Sequence, residues 1–465
     1  MKRTTQLSAA GLAVAGLILA GCGSSKTTAA VTTVAPAASA AATTTVPAAS
    51  TAAATTAAPP ASAAATTAAP VSNAKGDLEV FSWWTSGSEH AALQKLFDTV
   101  QGANTGLKAI DAAVSGGAGT NAKQVLATRL SSGDIPATWQ THAGGALGDY
   151  VKQGVVNDLS DLYKSEGWAK VLPKTILDSL TVDGKIYAVP AGVHRGNVMF
   201  YNKTVLDKAG VTLKDATSWT DFEAAAGKIK AAGVAPLCLG DKDVWTDATL
   251  LENLIIAETG ADSWNGLLTG KVKWTDAKVA TAIEHFKTAR SWAQADHQAL
   301  DWTGAVAALA EGKCAFNSMG DWEYGELLVK QQKVDGKDFG ATIIGDSNVF
   351  ATVTDVFVAG KGSKNQDGAV AWLKALMNTK AQLQFNQLKG SSPARNDVDV
   401  STSGPTGKTS AKVLASGTLV PSLVQDQANI PPAISAAMSD AVTLLVSSGD
   451  GAAFSKAMDA AIAAG

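Results

Sequence analysis

Two adjacent tryptophans, Trp83 and Trp84, close an apolar run, Leu78-Glu-Val-Phe-Ser-Trp-Trp-Thr85, where it gives way to Ser and Gly. Neighbours on a strand point to opposite faces, so one side of a core cannot take both indoles and at least one is free for another task. Further along, Gln140 and His142 are spaced to share a strand face, with Trp139 on the other; Gly144-Gly145 follows and suits the edge of a crevice. His194 and Arg195 form a second polar pair. These are aromatic surfaces and hydrogen-bonding groups, while the signatures of bond-breaking chemistry are missing. The chain has no Gly-x-Ser-x-Gly elbow, no His-Glu-x-x-His pair and no Walker loop, and neither a cofactor nor a metal ion is expected.

Such side chains act only where elements hold them. From Leu78 onward short apolar strands alternate with amphipathic helices, the pattern of an α/β fold. Leu93, Leu96, Phe97 and Val100 recur at helical spacing behind Ser88, the expected cap. Val125, Leu126 and Leu130 mark a second helix after Asn121, and a capping box at Thr220-Asp-Phe-Glu223 opens a third that stops at Gly233. Later helices are expected over 278–292, 368–378 and 432–446, the last opening with proline. Strands are expected over 137–142, 186–189, 198–201, 235–239, 314–319 and 352–358; several finish in polar or aromatic residues, and strand ends of open α/β sheets are where crevices form. No fixed period recurs, which argues against a solenoid or propeller.

Of the 465 residues, 46% are hydrophobic and 17% charged, enough for a large core and for two domains once a tail is set aside. A net charge of -3 gives no basic field for phosphate backbones, so nucleic acid is excluded as an expected partner. Lys2 and Arg3 precede an apolar stretch from Leu7 to Ala20, short for a membrane span and typical of an export signal. It ends in Leu19-Ala20-Gly21-Cys22, which resembles a bacterial lipobox; residues 1–21 read as a lipoprotein signal peptide and Cys22 as the lipidated N-terminus. Several acyl chains on one cysteine hold a protein on a membrane durably. Residues 22–75 are mostly Ala, Thr, Ser, Pro and Val, a composition that builds no core and reads as a disordered tether reaching on the order of 40 Å. Beyond Cys22 only Cys238 and Cys314 remain, which permits one disulfide or two buried thiols.

The motifs Phe81-Ser-Trp-Trp-Thr85, Val114-Ser-Gly-Gly-Ala-Gly-Thr-Asn-Ala-Lys123, Trp139-Gln-Thr-His142, Gly184-Lys-Ile-Tyr-Ala-Val-Pro190, His194-Arg-Gly-Asn197, Met319-Gly-Asp-Trp322 and Lys389-Gly-Ser-Ser-Pro-Ala-Arg395 occur in this order. Together they resemble the extracellular solute-binding proteins (family 1) of carbohydrate ABC transporters, and among these the glucose, galactose and mannose binders. The resemblance implies a two-lobed, periplasmic-binding-protein-like (type II) α/β fold with a multi-strand hinge and a central ligand cleft. It puts residues 77–190 and 346–395 in lobe one and 191–345 and 396–465 in lobe two, with the first crossing near 191–197. It implies hinge closure over a monosaccharide, a monomer, and delivery to the transmembrane subunits of an ABC permease from the outer face of the cytoplasmic membrane.

A pyranose offers flat C–H patches and a ring of hydroxyls, so its site needs indole faces together with carboxylates, amides and imidazoles. By motif position the resemblance assigns Trp83 and Trp84 to the sugar, with part of one in the core, and Glu89 to its hydroxyls, although the helix dipole alone also explains an acid there. Gln140 and His142 are expected to contact hydroxyls and Trp139 to be core. His194 or Arg195 is expected to line the cleft, with hinge bracing an equal reading for Arg195. Trp245 is expected to stack on the other sugar face, and Asp321 to pair two hydroxyls with Trp322 packed behind it; Asp355 and Lys389 follow from the family pattern. Related folds hold the strands of Cys238 and Cys314 close, which implies a disulfide. Glu89 and Asp321 imitate the carboxylate pair of a secreted glycoside hydrolase, about 5 to 9.5 Å apart. No hydrolase motif surrounds either, so capture without catalysis is expected; a longer oligosaccharide on the same fold is the other alternative.

Overall fold

The computed structural model describes residues 74–116 and 119–465. The signal peptide, Cys22 and nearly all of the expected tether lie outside the described residues. Ala74, read as tether, is 6% exposed and packs in the first core, so the folded part begins at least there.

The first sheet orders its strands as Thr418–Pro421, Val349–Ala359, Thr138–His142, Gly76–Phe81 and Leu107–Asp111, with Val189–Arg195 added against Val349–Ala359. Gly76–Phe81 runs parallel to both its neighbours. Val349–Ala359 is antiparallel to Thr138–His142 and to Val189–Arg195, setting Asp355 opposite His142 on one side and Gly192 on the other. The second sheet orders Ala216–Thr217, Phe339–Ile344, Val198–Asn202, Cys314–Met319 and Ala235–Leu237. All 11 residues of Val349–Ala359 are buried, the polar Thr352, Thr354 and Asp355 among them, because the strand is paired on both edges and packed on both faces.

Two large cores result. The first joins Leu78, Val80 and Phe81 to Leu93, Leu96, Phe97 and Trp372, burying the helical face expected for Gly87–Ala103. The second joins Leu251, Ile255, Trp264, Phe286, Met438 and Phe454, with smaller clusters around the second sheet. Along Val349–Ala359, Val349 and Ala351 pack with the second core while Phe350 and Val356–Val358 pack with the first. Beside it Val189–Arg195 runs through the stretch expected to cross first. The helix Pro405–Ser416, assigned by sequence to lobe two, puts Val413 and Leu414 into the first core.

Local signals resolve differently at helix starts. Ser88 is not a cap: it lies within Gly87–Ala103, and Ser86 precedes the helix without a side-chain bond. The third helix is Trp219–Ala231, capped by Ser218, whose hydroxyl accepts the Asp221 N–H, rather than by Thr220. Val125, read as apolar face, is 41% exposed. Cys238 and Cys314 are joined in a disulfide between the ends of two neighbouring strands.

Candidate functional site

A cavity lies past strand ends of the first sheet, lined on its other side by the first residues of the helices Trp245–Thr259, Trp302–Glu311 and Trp322–Val329. Trp83, just past the strand Gly76–Phe81, forms one wall and meets the His142 ring edge-on at 5.2 Å. Gly119 makes room for it: its φ of +96° is one only glycine adopts readily, and a Cβ there would stand 2.8 Å from the indole. Trp245, first residue of the helix Trp245–Thr259, and Trp322, first of Trp322–Val329, face the cavity 6.3 Å apart; Trp302 opens a third helix at its rim.

A polar cluster fills the opposite side around Asp355. Its Oδ1 accepts from Gln140 Nε2 at 2.9 Å, and its Oδ2 lies 3.2 Å from His194 Nε2 and 3.8 Å from Lys389 Nζ. Lys389 donates to Glu89 Oε1 at 2.8 Å. Burial favours a neutral Asp355, but Lys389 and the histidines outweigh it and hold the carboxyl well below the usual range. Burial likewise pulls the Lys389 ammonium down, and Glu89 with Asp355 more than offsets it. The cluster therefore carries real charges in a water-poor site.

The two histidines diverge. Burial, reinforced by Lys123, lowers the His142 pKa to about 4, so the ring is neutral at pH 7; its Nδ1 has no hydrogen-bond partner among the described residues. His194 is pushed down by burial and by Lys389, yet Asp321 and Asp355 reverse the direction to a raised pKa. Asp321 Oδ1 sits 2.5 Å from His194 Nδ1, and its Oδ2 accepts the Arg195 N–H at 3.0 Å.

The cavity thus brings together Trp83, Glu89, His142, His194, Trp245, Asp355 and Lys389. Three expected contacts stand behind its wall. Trp84 is fully buried between Phe357 and Phe385, with Lys389 Nζ 5.3 Å from its ring centroid. Gln140 is turned inward: its amide donates to Asp355 and its carbonyl accepts the Trp83 N–H at 3.2 Å. Asp321 spends both oxygens on His194 and Arg195, while Trp322, expected behind it, faces the cavity. Arg195 braces the crossing, donating to the Ser347 and Val349 carbonyls at 2.6 and 2.7 Å. Sequence reading missed Trp302, Val353 and Gln425 as lining residues. Val353 was recoverable, since it shares a strand face with Asp355; a tryptophan opening a helix behind the Asp301 cap was a weaker signal, and Gln425 carried none.

Unspent hydrogen-bonding atoms at His142 and Trp245 Nε1, the Asp355–Lys389–Glu89 cluster and indole faces make a surface chemically suited to a polyhydroxylated ligand. The family model of bacterial extracellular solute-binding proteins matches residues 84–383. A probable sugar-binding periplasmic protein of Rhizobium meliloti is 33% identical, the match covering 80% of this chain and 90% of the relative. A xylose/arabinose-binding protein of Haloferax volcanii is 26% identical over 70% and 71%. Among solved structures, a chitin oligosaccharide binding protein superposes with a TM-score of 0.73 at 20% identity, covering 84% of this chain and 98% of that one, which establishes the shared type II fold.

Proposed function

Because the chain belongs to the bacterial extracellular solute-binding proteins and is an exported sugar-binding component of a carbohydrate ABC transporter, its cleft has a cargo, and we propose that this cargo is one glucose-like hexose. The observation that carries the reading is the lining of the site: four indoles, Trp83, Trp245, Trp302 and Trp322, close around a single polar cluster centred on Asp355. One such cluster walled by indoles suits one sugar ring better than a chain of them. The indoles take the C–H faces; Asp355, Glu89, Lys389 and His142 take the hydroxyls, and charge-assisted bonds in a dry site discriminate epimers.

The second reading, an oligosaccharide, draws on the structural neighbour that binds chitin oligosaccharides. Titrating the full chain with D-glucose, D-galactose, D-mannose, D-xylose, maltose and chitobiose, followed by tryptophan fluorescence, separates the two. Saturation by a hexose supports the proposal; tighter binding of either disaccharide overturns it in favour of the longer ligand. Release of reducing sugar from a glycoside would mark an enzyme, a reading disfavoured by Asp321 having turned both oxygens away from the cavity.

In this reading the protein works by capture alone. Sugar binds one body, contacts from the second stabilise the closed form, and the monomeric closed form docks on the permease subunits. A lipid on Cys22 would keep it at the outer face of the cytoplasmic membrane. Cys22→Ser should then move the protein from the membrane to the soluble fraction; an unchanged distribution removes the anchor.

A further inference from the structure

Gln425 reaches the cavity from the loop 422–428, whose first three residues are hydrogen-bonded to one buried acid. We propose that Glu252 is a positioning residue of the binding site, holding the loop in the form that presents Gln425 to the cargo. The inference rests on the reading of the cavity as a sugar site.

Glu252 lies about two turns beyond Trp245 on the helix Trp245–Thr259 and is 2% exposed. Its Oε1 accepts the Ser422 hydroxyl at 2.6 Å, and its Oε2 accepts the Leu423 and Val424 N–H groups at 2.8 and 2.9 Å. While it donates to Glu252, the Ser422 hydroxyl turns a lone pair to the Gln425 N–H, accepting it at 3.2 Å. One carboxylate therefore fixes Leu423 and Val424 directly and Gln425 through a single hydroxyl. No charged side chain pairs with Glu252 among the described residues. On the facing helix Ala277–Arg290, Arg290 engages Asp241 and Asp247, Lys287 engages Glu284 and His285 lies by Glu258. Burial lifts the Glu252 carboxyl to about 7 against the pull of its donors, so an acid is costly here and packing alone does not call for one.

The far end of the loop is tied to the first body. Gln427 Oε1 accepts the Thr354 N–H at 2.5 Å, Gly145 donates to the Ala428 carbonyl at 3.1 Å, and Lys123 bonds Asp426 at 2.6 Å. Asp426 turns the loop with a φ of +53°, a left-handed conformation that aspartate enters more readily than most residues. The loop is thus stretched between Glu252 on one body and three anchors on the other, with Gln425 in the middle.

Two measurements on the full chain test this. In the sugar-free protein, Glu252→Gln should speed amide hydrogen exchange across 422–428 at least tenfold while exchange in the strand Gly76–Phe81 stays as in the wild type; unchanged loop exchange overturns the proposal. A double-mutant cycle with Gln425→Ala, read as Kd for the hexose that binds tightest among D-glucose, D-galactose and D-mannose, should be non-additive: once Glu252 is replaced, losing Gln425 should cost less than about twofold. Losses that multiply would mark Glu252 as structural only and overturn it too. If Glu252→Gln does not fold, Ser422→Ala deletes the bridging hydroxyl and enters the same cycle. A wild-type chain that binds no hexose sinks the cargo reading, while the exchange arm still decides whether Glu252 holds the loop.

Discussion

Trp83 and Trp84 are neighbours in the chain and opposites in the fold. That they must part company was legible, because adjacent side chains diverge; which one meets the ligand was not, because the strand ends at Phe81 and its alternation stops there. Sequence alone predicts weaker binding from replacing either. With the packing known, Trp84→Ala should leave a cavity costing about 3–5 kcal/mol of stability. Trp83→Ala should instead weaken sugar binding at least tenfold with the urea midpoint nearly unchanged; equal midpoint losses in both would contradict the division. The reversal at Asp321 and Trp322 has a similar cause: a residue at a helix start points according to what claims its polar atoms, and His194 with the Arg195 N–H claims Asp321. Glu323, next along, is fully buried with neither carboxylate oxygen hydrogen-bonded among the described residues, and burial raises its pKa well above the ordinary value. The folded state keeps that proton at pH values where the unfolded chain has lost it, so this residue makes stability fall as pH rises above the ordinary carboxylate range. Glu323→Met should therefore raise the melting temperature more at pH 8 than at pH 5, and an equal gain at both would refute the assignment of a buried, neutral acid.

At the scale of elements, the disulfide joins strands 76 residues apart in sequence and lies at the root of the loop that leads to Trp245. Replacing both Cys238 and Cys314 by Ser should cost about 2–5 kcal/mol in urea unfolding. Reductant should bring the wild type down to the same value and leave the variant unmoved; a reductant-insensitive wild type would contradict a role for the bond in stability. Helices and strands with strong periodicity were readable from sequence: Pro432–Ser448 and Cys314–Met319 fall where pattern puts them. Caps were less so. Serines and threonines crowd the helix starts, and tertiary partners choose among them, as when Glu326 takes the Ser88 N–H at 3.2 Å. The site divides along the same line. His142 and Asp355 ride on strands whose period fixes their face, whereas Gln425 sits on a loop shaped by Glu252, about 170 residues earlier, and no local signal reports such an anchor.

Across the whole molecule, helices of separate core clusters meet at a glycine. A Cβ on Gly325, in the helix Trp322–Val329, would stand 2.4 Å from the Leu388 carbonyl oxygen of the helix Thr379–Lys389, whose Ala381 and Phe385 belong to the first core. Gly325→Ala should hold the bodies apart, giving a larger radius of gyration by small-angle scattering in saturating sugar and at least tenfold weaker binding. A compact, tightly binding variant would show that this contact is not part of closure. The crossing strands supply the last consequence. Asp355 and Val353 lie on Val349–Ala359, and His194 on Val189–Arg195 pairs with Val353, so this part of the cavity wall sits on the strands proposed as the hinge. In the proposed closure, displacement grows with distance from the axis: residues on the crossing strands should hold still, while Trp245, Trp302 and Trp322 should sweep inward. On that proposal the still half receives sugar before closure and sets how fast it is caught, and the sweeping half sets how long it stays. In stopped-flow traces, Asp355→Asn should mainly slow association, and Trp322→Ala should mainly quicken release.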